Sequence, residues 1–359
     1  MKFKRTNTCG ELAKNDIKKE VTLCGWVNSS RDHGSIIFTD LRDRYGLTQI
    51  VFDPEHDKKG HKEAETLRRE DVIAVKGKVR ARGKGLENPK LNTGEIEVLV
   101  DELEVLNKAE TPPLEVNDRV ELNEDVRLKY RYLDLRKPQM QHNILVRHKA
   151  VKLVRDYFDA LGFLEIETPM LGKSTPEGAR DYLVPSRVNP GKFYALPQSP
   201  QILKQICMIA GFDKYFQIVK CFRDEDLRTD RQPEFTQIDV EMSFIEQEDI
   251  FAVIEGLMKE MWKKILNKDI KTPFKKLIYQ EAMDKYGSDK PDLRFGLELV
   301  DVTDAVKKSS FEVFTKIIKE KGKVKCINAK KCANFSRKEL DELIEFVKIY
   351  NAKGMAWMK

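Results

Sequence analysis

The 359-residue chain predicts a multi-domain protein: an N-terminal five-stranded β-barrel, an α+β domain with an antiparallel sheet, and the start of a further α+β segment. Three observations carry this reading. Five β-rich runs separated by turn signals occupy the chain up to Leu106. A charged stretch that opens on Thr111-Pro112-Pro113 then breaks every periodicity. Beyond it, runs of helical spacing alternate with strand-like runs, and near Asp292 the pattern changes again.

The first five runs, residues 21–27, 35–41, 47–52, 71–79 and 95–106, are rich in β-branched and aromatic residues and bounded by turn formers. Between the third and fourth lies 61–69, HKEAETLRR, made mostly of strong helix formers. Five strands with one helix after the third is the order of an OB barrel. We therefore expect a barrel over 1–106 and an interdomain linker over 107–141, where proline and charge suppress regular structure.

The second domain is expected over 142–291. Residues 142–161 place Leu145, Ala150, Leu153, Val154, Tyr157, Phe158 and Leu161 at helical spacings, and Gly162 follows as a natural C-terminal cap. A strand-like run, 163–168, is ended by Pro169. Runs 192–196, 215–221 and 234–244 read as strands, and 199–210 and 248–266 as helices. In the last segment, 292–359, residues 324–327 read as a short strand, and Ser336-x-x-Glu339 is a capping box that opens a helix. Leu340, Leu343, Phe346, Val347 and Tyr350 mark the apolar side of that helix.

Bulk composition narrows the function classes. The 65 Lys and Arg against 59 Asp and Glu give a formal charge of +6, so a nucleic-acid surface must come from local clustering. Six scattered cysteines without a CxxC pair argue against a zinc site or a disulfide framework, and no residue is assigned as a metal ligand. The N-terminus lacks the apolar core of a signal peptide, and no apolar run approaches the roughly 20 residues of a membrane span. The expected setting is the cytoplasm.

Residues 215–244 are the most informative segment. Two apolar, strand-like arms flank a loop, 223–234, that holds three arginines and five acids. Keeping so charged a turn compact is unfavourable, because like charges repel and long side chains lose rotamer freedom. One account is a solvated hairpin with internal ion pairs. The other is a ligand of mixed charge: Arg223, at the end of a strand, can grip a carboxylate and a phosphate together because its planar fork donates in two directions.

Phe222-Arg223-Asp224-Glu225, followed by Arg231-Gln232-Pro233-Glu234-Phe235-Thr236-Gln237, resembles the second signature motif of class II aminoacyl-tRNA synthetases in its aspartyl wording, which favours the ligand. Residues 142–169 resemble the first motif, a long helix and a strand ending in proline that build a dimer interface. Ser174-Thr175-Pro176-Glu177-Gly178-Ala179-Arg180-Asp181 is similar to the mobile loop of aspartyl enzymes. Gln198-Ser199-Pro200-Gln201-Ile202-Leu203-Lys204-Gln205 is similar to their amino-acid recognition segment. The resemblance, to bacterial-type aspartyl-tRNA synthetases, covers essentially the whole chain.

It implies a ligase that joins L-aspartate to ATP as an adenylate and passes the aspartyl group to the 3′ end of tRNA(Asp), with Mg2+ neutralising the phosphates. Glu177 and Gln201 would receive the α-ammonium group, Lys204 the side-chain carboxylate, and Asp239 would lie beside the ammonium pocket. Arg223 would bridge the carboxylate and the α-phosphate, with Asp224, Glu225 and Gln232 completing the ATP site. These residue types also make sense physically. Aspartate carries one cation and two anions, so its pocket needs an acceptor cluster and a fixed cation, and asparagine would leave Lys204 facing an amide. Both steps depend on positioning and charge stabilisation, so neither needs a nucleophilic Ser or Cys.

In the barrel, Arg31, Phe38, Gln49 and Glu97 match the positions the family uses to hold the anticodon. Strand alternation puts Ile37 and Phe38 on opposite faces, so Phe38 is either the exposed stacking ring or a core residue, and the resemblance favours exposure. His33 and Gly85 resemble the version of the family that also charges tRNA(Asn).

The sequence departs from the family in one respect. The third class II motif, with its adenine-stacking arginine, is absent, as are the magnesium-holding carboxylates and the second arginine for the substrate side chain. Residues from about 293 onward resemble the bacterial insertion domain, so the chain is read as ending within that domain and as adenylating poorly by itself. Two alternatives remain: an RNA-binding module without catalysis, and a related synthetase for asparagine or lysine, the latter disfavoured by Lys204.

Overall fold

The computed structural model describes residues 2–175, 177–352 and 354–358, so Pro176 of the expected loop and Lys359 lie outside the described residues. The chain forms two compact units, Met1–Ile270 and Lys271–Lys359.

The first unit opens with a closed barrel in the order β1-β2-β3-β5-β4, built from β1 (Glu20–His33), β2 (Ile36–Asp43), β3 (Gly46–Phe52), β4 (Val72–Ala81) and β5 (Ile96–Asn107). Alternation sends Val21, Leu23, Val27, Ile37, Leu41, Ile50, Ile73, Val75 and Ile96 inward to one apolar cluster. The β1–β2 hairpin turns on Gly34 and Ser35, both at positive φ (+63° and +85°), as a two-residue turn matched to strand twist requires. The strand pattern extends β1 by six residues beyond the expected Val27. Helix α1 (Lys58–Ala64) begins and ends earlier than expected, because the Asp57 carboxylate caps it by accepting from the Lys59 and Gly60 amides.

The linker is more ordered than its composition implies. It contains α2 (Glu124–Lys129), capped by Asn123, and α3 (Arg131–Asp134). It runs straight into α4 (Pro138–Ala160), whose first residue, Pro138, supplies a pre-set φ where no helical N–H is needed. Helix α4 ends as a Schellman turn: Gly162 sits at φ +76°, its N–H bonds to Asp159 O (2.9 Å), and Phe163 N–H bonds to Phe158 O (3.0 Å).

The sheet that follows the linker has three strands in the order β10-β9-β6. Here β6 is Leu164–Glu165, β9 is Lys214–Phe222 and β10 is Glu234–Met242. The long pair β9–β10 is antiparallel, whereas β6 joins β9 in parallel, so the expected antiparallel sheet carries a parallel edge. A separate hairpin pairs β7 (Leu183–Pro185) with β8 (Phe193–Ala195), and the helices are α5 (Gln201–Ile209) and α6 (Gln247–Leu266). One sheet face packs on α4 and α6. Phe158, Phe163 and Phe216 form its centre, with ring centroids 4.9 Å apart from Phe158 to each partner.

The second unit contains α7 (Tyr279–Tyr286), β11 (Leu299–Asp301), α8 (Thr303–Val306), α9 (Glu312–Lys319), β12 (Lys325–Ile327) and α10 (Arg337–Ile349). Strands β11 and β12 pair antiparallel, and Ser336 and Glu339 close the expected capping box at α10. The units part at 270/271 rather than at 291/292, because α7 packs on β11 and Lys325 Nζ donates to the Asp284 carbonyl at its C-terminal end.

Candidate active site and nucleic-acid face

Strands β9 and β10 hold an unbroken register from Phe222↔Glu234 to Lys214↔Met242, so residue parity decides which side chains meet. Phe216, Ile218, Val240 and Met242 turn to the helices α4 and α6. The opposite face carries Gln217, Asp239 and Glu241, with α5 packed against both strands. Polar side chains on a largely covered sheet face need partners, and α5 supplies one.

Lys204, one turn into α5, places Nζ 2.7 Å from Asp239 Oδ1 and 3.2 Å from Glu241 Oε2. Lys204 and Asp239 are each 8% exposed. Burial alone would lower the lysine pKa, but Asp239 and Glu241 outweigh it and hold the ammonium above its usual range. The same burial, with Asp239 nearby, pushes Tyr215 upward and raises the Cys221 thiol to about 11. Asp239 Oδ2 is buried without a hydrogen-bond partner among the described residues.

Arg223 is the first residue past β9. Its N–H bonds to Pro233 O (2.9 Å), which closes the hairpin, and its guanidinium lies 5.2 Å from the Phe235 ring centroid. Its Nε is buried and likewise lacks a partner among the described residues. A buried unpaired donor and a buried unpaired acceptor each cost about 1–3 kcal/mol. Both occur at this site. The loop also contains an ion pair, Arg231 Nη1 to Glu225 Oε2 at 3.5 Å, as the solvated-hairpin account expected.

The segment 174–181 is tied to the same place. Ser199 Oγ donates to Glu177 Oε2 (3.1 Å), and the Asp224 N–H donates to Arg180 O (3.0 Å). Gln198, 1% exposed, grips the Ala179 backbone on both sides: Nε2 donates to its carbonyl (2.8 Å), and its N–H donates to Oε1 (3.1 Å). Asp181 resists the upward pull of burial because Gln198, Ser174 and the Thr175 N–H hold it below its usual range. The structure thus brings together Glu177, Lys204, Arg223, Asp224 and Asp239. Gln232 is exposed and Gln201 half-buried, neither with a side-chain hydrogen bond among the described residues. Asp239 accepts from Lys204 Nζ (2.7 Å). Glu241 was missed, and Gln198 was named only as part of its segment, without its contact to Ala179. The i+2 spacing from Asp239 could have revealed Glu241, whereas nothing local marks the contact of Gln198 with Ala179.

On the barrel a polar row crosses β1, β2, β3, β5 and β4. Arg31 Nη2 donates to Asp40 Oδ1 (3.1 Å) and Oδ2 (3.0 Å), Gln49 Nε2 to Glu97 Oε2 (2.8 Å), and Arg80 Nε to Glu97 Oε1 (2.8 Å). Gln49 and Glu97 are buried and engage each other. Phe38 is half-buried while Ile37 is in the core, and the His33 ring meets Phe38 edge-on at 6.0 Å. Gly85, at φ +84°, has no neighbour within 4 Å of an added Cβ. Arg82 bonds the Ile96 carbonyl through Nε and leaves its buried Nη2 unpaired among the described residues. Sequence reading missed Asp40, Arg80 and Arg82, although the i+2 spacing of the two arginines was a usable signal.

A family model described as tRNA synthetases class II (D, K and N) matches residues 123–350, and one described as an OB-fold nucleic acid binding domain matches residues 21–106. The chain belongs to the class II tRNA synthetases of the D, K and N group. It is 57% identical over 357 residues to the aspartate–tRNA(Asp/Asn) ligase of Desulfatibacillum aliphaticivorans, which covers 99% of this chain and 60% of that protein. It is 56% identical to the enzyme of that name from Caldanaerobacter subterraneus subsp. tengcongensis, with the same coverage. The chain therefore spans about three fifths of the length of these curated relatives. Among solved structures, the asparaginyl-tRNA synthetase of Pyrococcus horikoshii with asparaginyl-adenylate matches with a TM-score of 0.65. It covers 96% of this chain and 72% of that one at 23% identity, a likeness of fold.

Proposed function

We propose that the chain carries the amino-acid and anticodon sites of an aspartate–tRNA ligase. The observation that carries this reading is the buried cation Lys204 beside the unpaired Asp239 Oδ2 and Arg223 Nε. Aspartate needs a fixed cation for its side chain and donors for its α-carboxylate. In the reaction, the α-carboxylate attacks the α-phosphorus of ATP and pyrophosphate leaves. A terminal ribose hydroxyl of tRNA then attacks the acyl carbon and AMP leaves.

In this account Arg223 holds the carboxylate against the α-phosphate, and Asp224, Glu225 and Gln232 hold the nucleotide. Glu177 and Gln201 receive the α-ammonium, and Lys204, steadied by Asp239, receives the side-chain carboxylate. Arg31, Phe38, Gln49 and Glu97 hold the anticodon, Gln49 and Glu97 exchanging their mutual bond for bonds to bases. His33 and the unobstructed Gly85 leave room for the third anticodon base of tRNA(Asn) as well as that of tRNA(Asp). Among the described residues no group of three or more His, Cys, Asp or Glu is placed to hold a metal ion; Mg2+ accompanying ATP would neutralise its phosphates.

No described helix is long and apolar enough to cross a membrane, and tRNA and ATP as substrates suit a cytoplasmic enzyme. Exposed Ile144 and Leu145 on α4 and Leu164 on β6 suit a homodimer through this helix and strand.

Titration calorimetry with non-hydrolysable aspartyl, asparaginyl and lysyl sulfamoyl-adenylates tests the reading. Binding of the aspartyl compound at least about tenfold more tightly than the others is expected, since the lost partner of a buried ammonium is costly. Equal binding, or a preference for asparaginyl, rejects it.

A further inference from the structure

Where the barrel meets the linker, buried Arg42 and Glu70 meet a half-buried third charged side chain, Arg136. Arg42 Nη2 donates to both Glu70 oxygens at 2.8 Å while its Nη1 donates to Asn28 Oδ1 (2.8 Å), so Glu70 already has a cationic partner within the barrel. Arg136, from beyond α3, adds a second guanidinium: its Nη1 donates to Glu70 Oε2 at 2.7 Å, and its plane lies 4.9 Å from the Trp26 ring centroid. Glu70 is held at φ +67° by paired backbone bonds, its N–H to Val27 O (2.8 Å) and Val27 N–H to Asp71 O (2.9 Å). A non-glycine residue in that region persists only when its surroundings enforce it.

Charge balance does not call for Arg136, and an apolar contact would stabilise the junction as well as a buried ion pair does. What the arrangement supplies is direction. Arg136 lies two residues before Pro138, and the stretch around it is stiffened by fully buried Asp134, which accepts from Arg127 Nε (3.0 Å) and lies 3.6 Å from Lys137 Nζ. Helix α4 then runs 23 residues, about 34 Å, to the Phe158 cluster behind β9. One rigid element thus joins the barrel face to the hairpin bearing Arg223.

We infer that Arg136 is a positioning residue: clamped between Glu70 and Trp26, it fixes the angle at which the barrel is presented to the catalytic face, so that one tRNA engages both. This rests on the tRNA-ligase reading above. A ligand that spans two surfaces gains from both only when their geometry is held, whereas a ligand of one surface is indifferent to it.

The test compares the 359-residue chain with its Arg136→Ala and Arg136→Lys variants, each titrated with full-length tRNA(Asp) transcript and with the isolated anticodon stem-loop. Arg136→Ala is expected to weaken the full-length tRNA about tenfold or more and to leave the stem-loop within about twofold. Arg136→Lys, which keeps the ion pair but not the stacked plane, is expected to fall between. If both ligands weaken together, Arg136 merely supports the barrel and the inference is wrong. It is equally wrong if neither weakens. Wild-type chain that binds neither RNA rejects the ligase reading itself, an outcome distinct from normal stem-loop binding with an indifferent Arg136→Ala.

Discussion

Lys204 is fixed by two carboxylates before any substrate arrives, so its replacement has two separable effects. Lys204→Met leaves Asp239 and Glu241 facing each other and is expected to lower stability by about 2–5 kcal/mol in urea melts. It should also erase the preference for aspartyl over asparaginyl sulfamoyl-adenylate. Phe38→Ala, which leaves the barrel core at Ile37 intact, is expected to weaken the anticodon stem-loop by about 1–3 kcal/mol in filter binding. Cys221, with its thiol at about 11, and buried Cys9 should stay unmodified by maleimide at neutral pH in mass spectrometry while exposed Cys326 reacts. Rapid labelling of Cys221 would mean that the sheet face beneath Lys204 is open to solvent. At this scale the sequence singles out Arg223 and Lys204 because each sits in a motif. It was not readable where a residue acts through a distant partner: Gln198 reaches back 19 positions to Ala179, and no local pattern encodes that.

Elements follow from periodicity wherever one face is buried. The five barrel strands and helix α4 were legible for that reason, and Gly162 marked the end of α4 correctly. Errors fell at capped or tertiary-defined boundaries: Asp57 starts α1 three positions before expected, and the run after α4 becomes a two-residue strand because it pairs only with Tyr215 and Phe216. Phe158→Ala removes the ring shared by Phe163 and Phe216 and is expected to cost about 3–5 kcal/mol in thermal or urea unfolding. The linker offers a pH test. Burial would raise the Asp134 pKa, but Arg127, Arg131 and Lys137 prevail and hold it below its ordinary 3.8. A depressed carboxylate stabilises the fold above its ordinary value and loses that contribution as pH falls through the depressed one. The stability gap between wild type and Asp134→Asn, about 1–3 kcal/mol at neutral pH, should therefore narrow as pH falls below 3.8 in acid titrations followed by circular dichroism.

For the whole molecule, the order of parts was legible because each segment has its own period, and the family match over residues 123–350 agrees with the motifs read from the chain. The division at 270/271 was not legible: α7 joins the second unit through tertiary contacts, by packing on β11 and by the bond from Lys325 to Asp284. The central claim, that an acidic amino acid and a nucleotide phosphate meet at Arg223, concerns the first unit and has one most direct test. Wild type and Arg223→Ala are titrated with aspartyl sulfamoyl-adenylate, with anticodon stem-loop binding as the control for folding. Loss of a guanidinium that would bond two anionic groups is expected to weaken the adenylate mimic by about 100-fold or more and to leave the stem-loop unaffected. Undiminished binding of the mimic to Arg223→Ala would contradict the account.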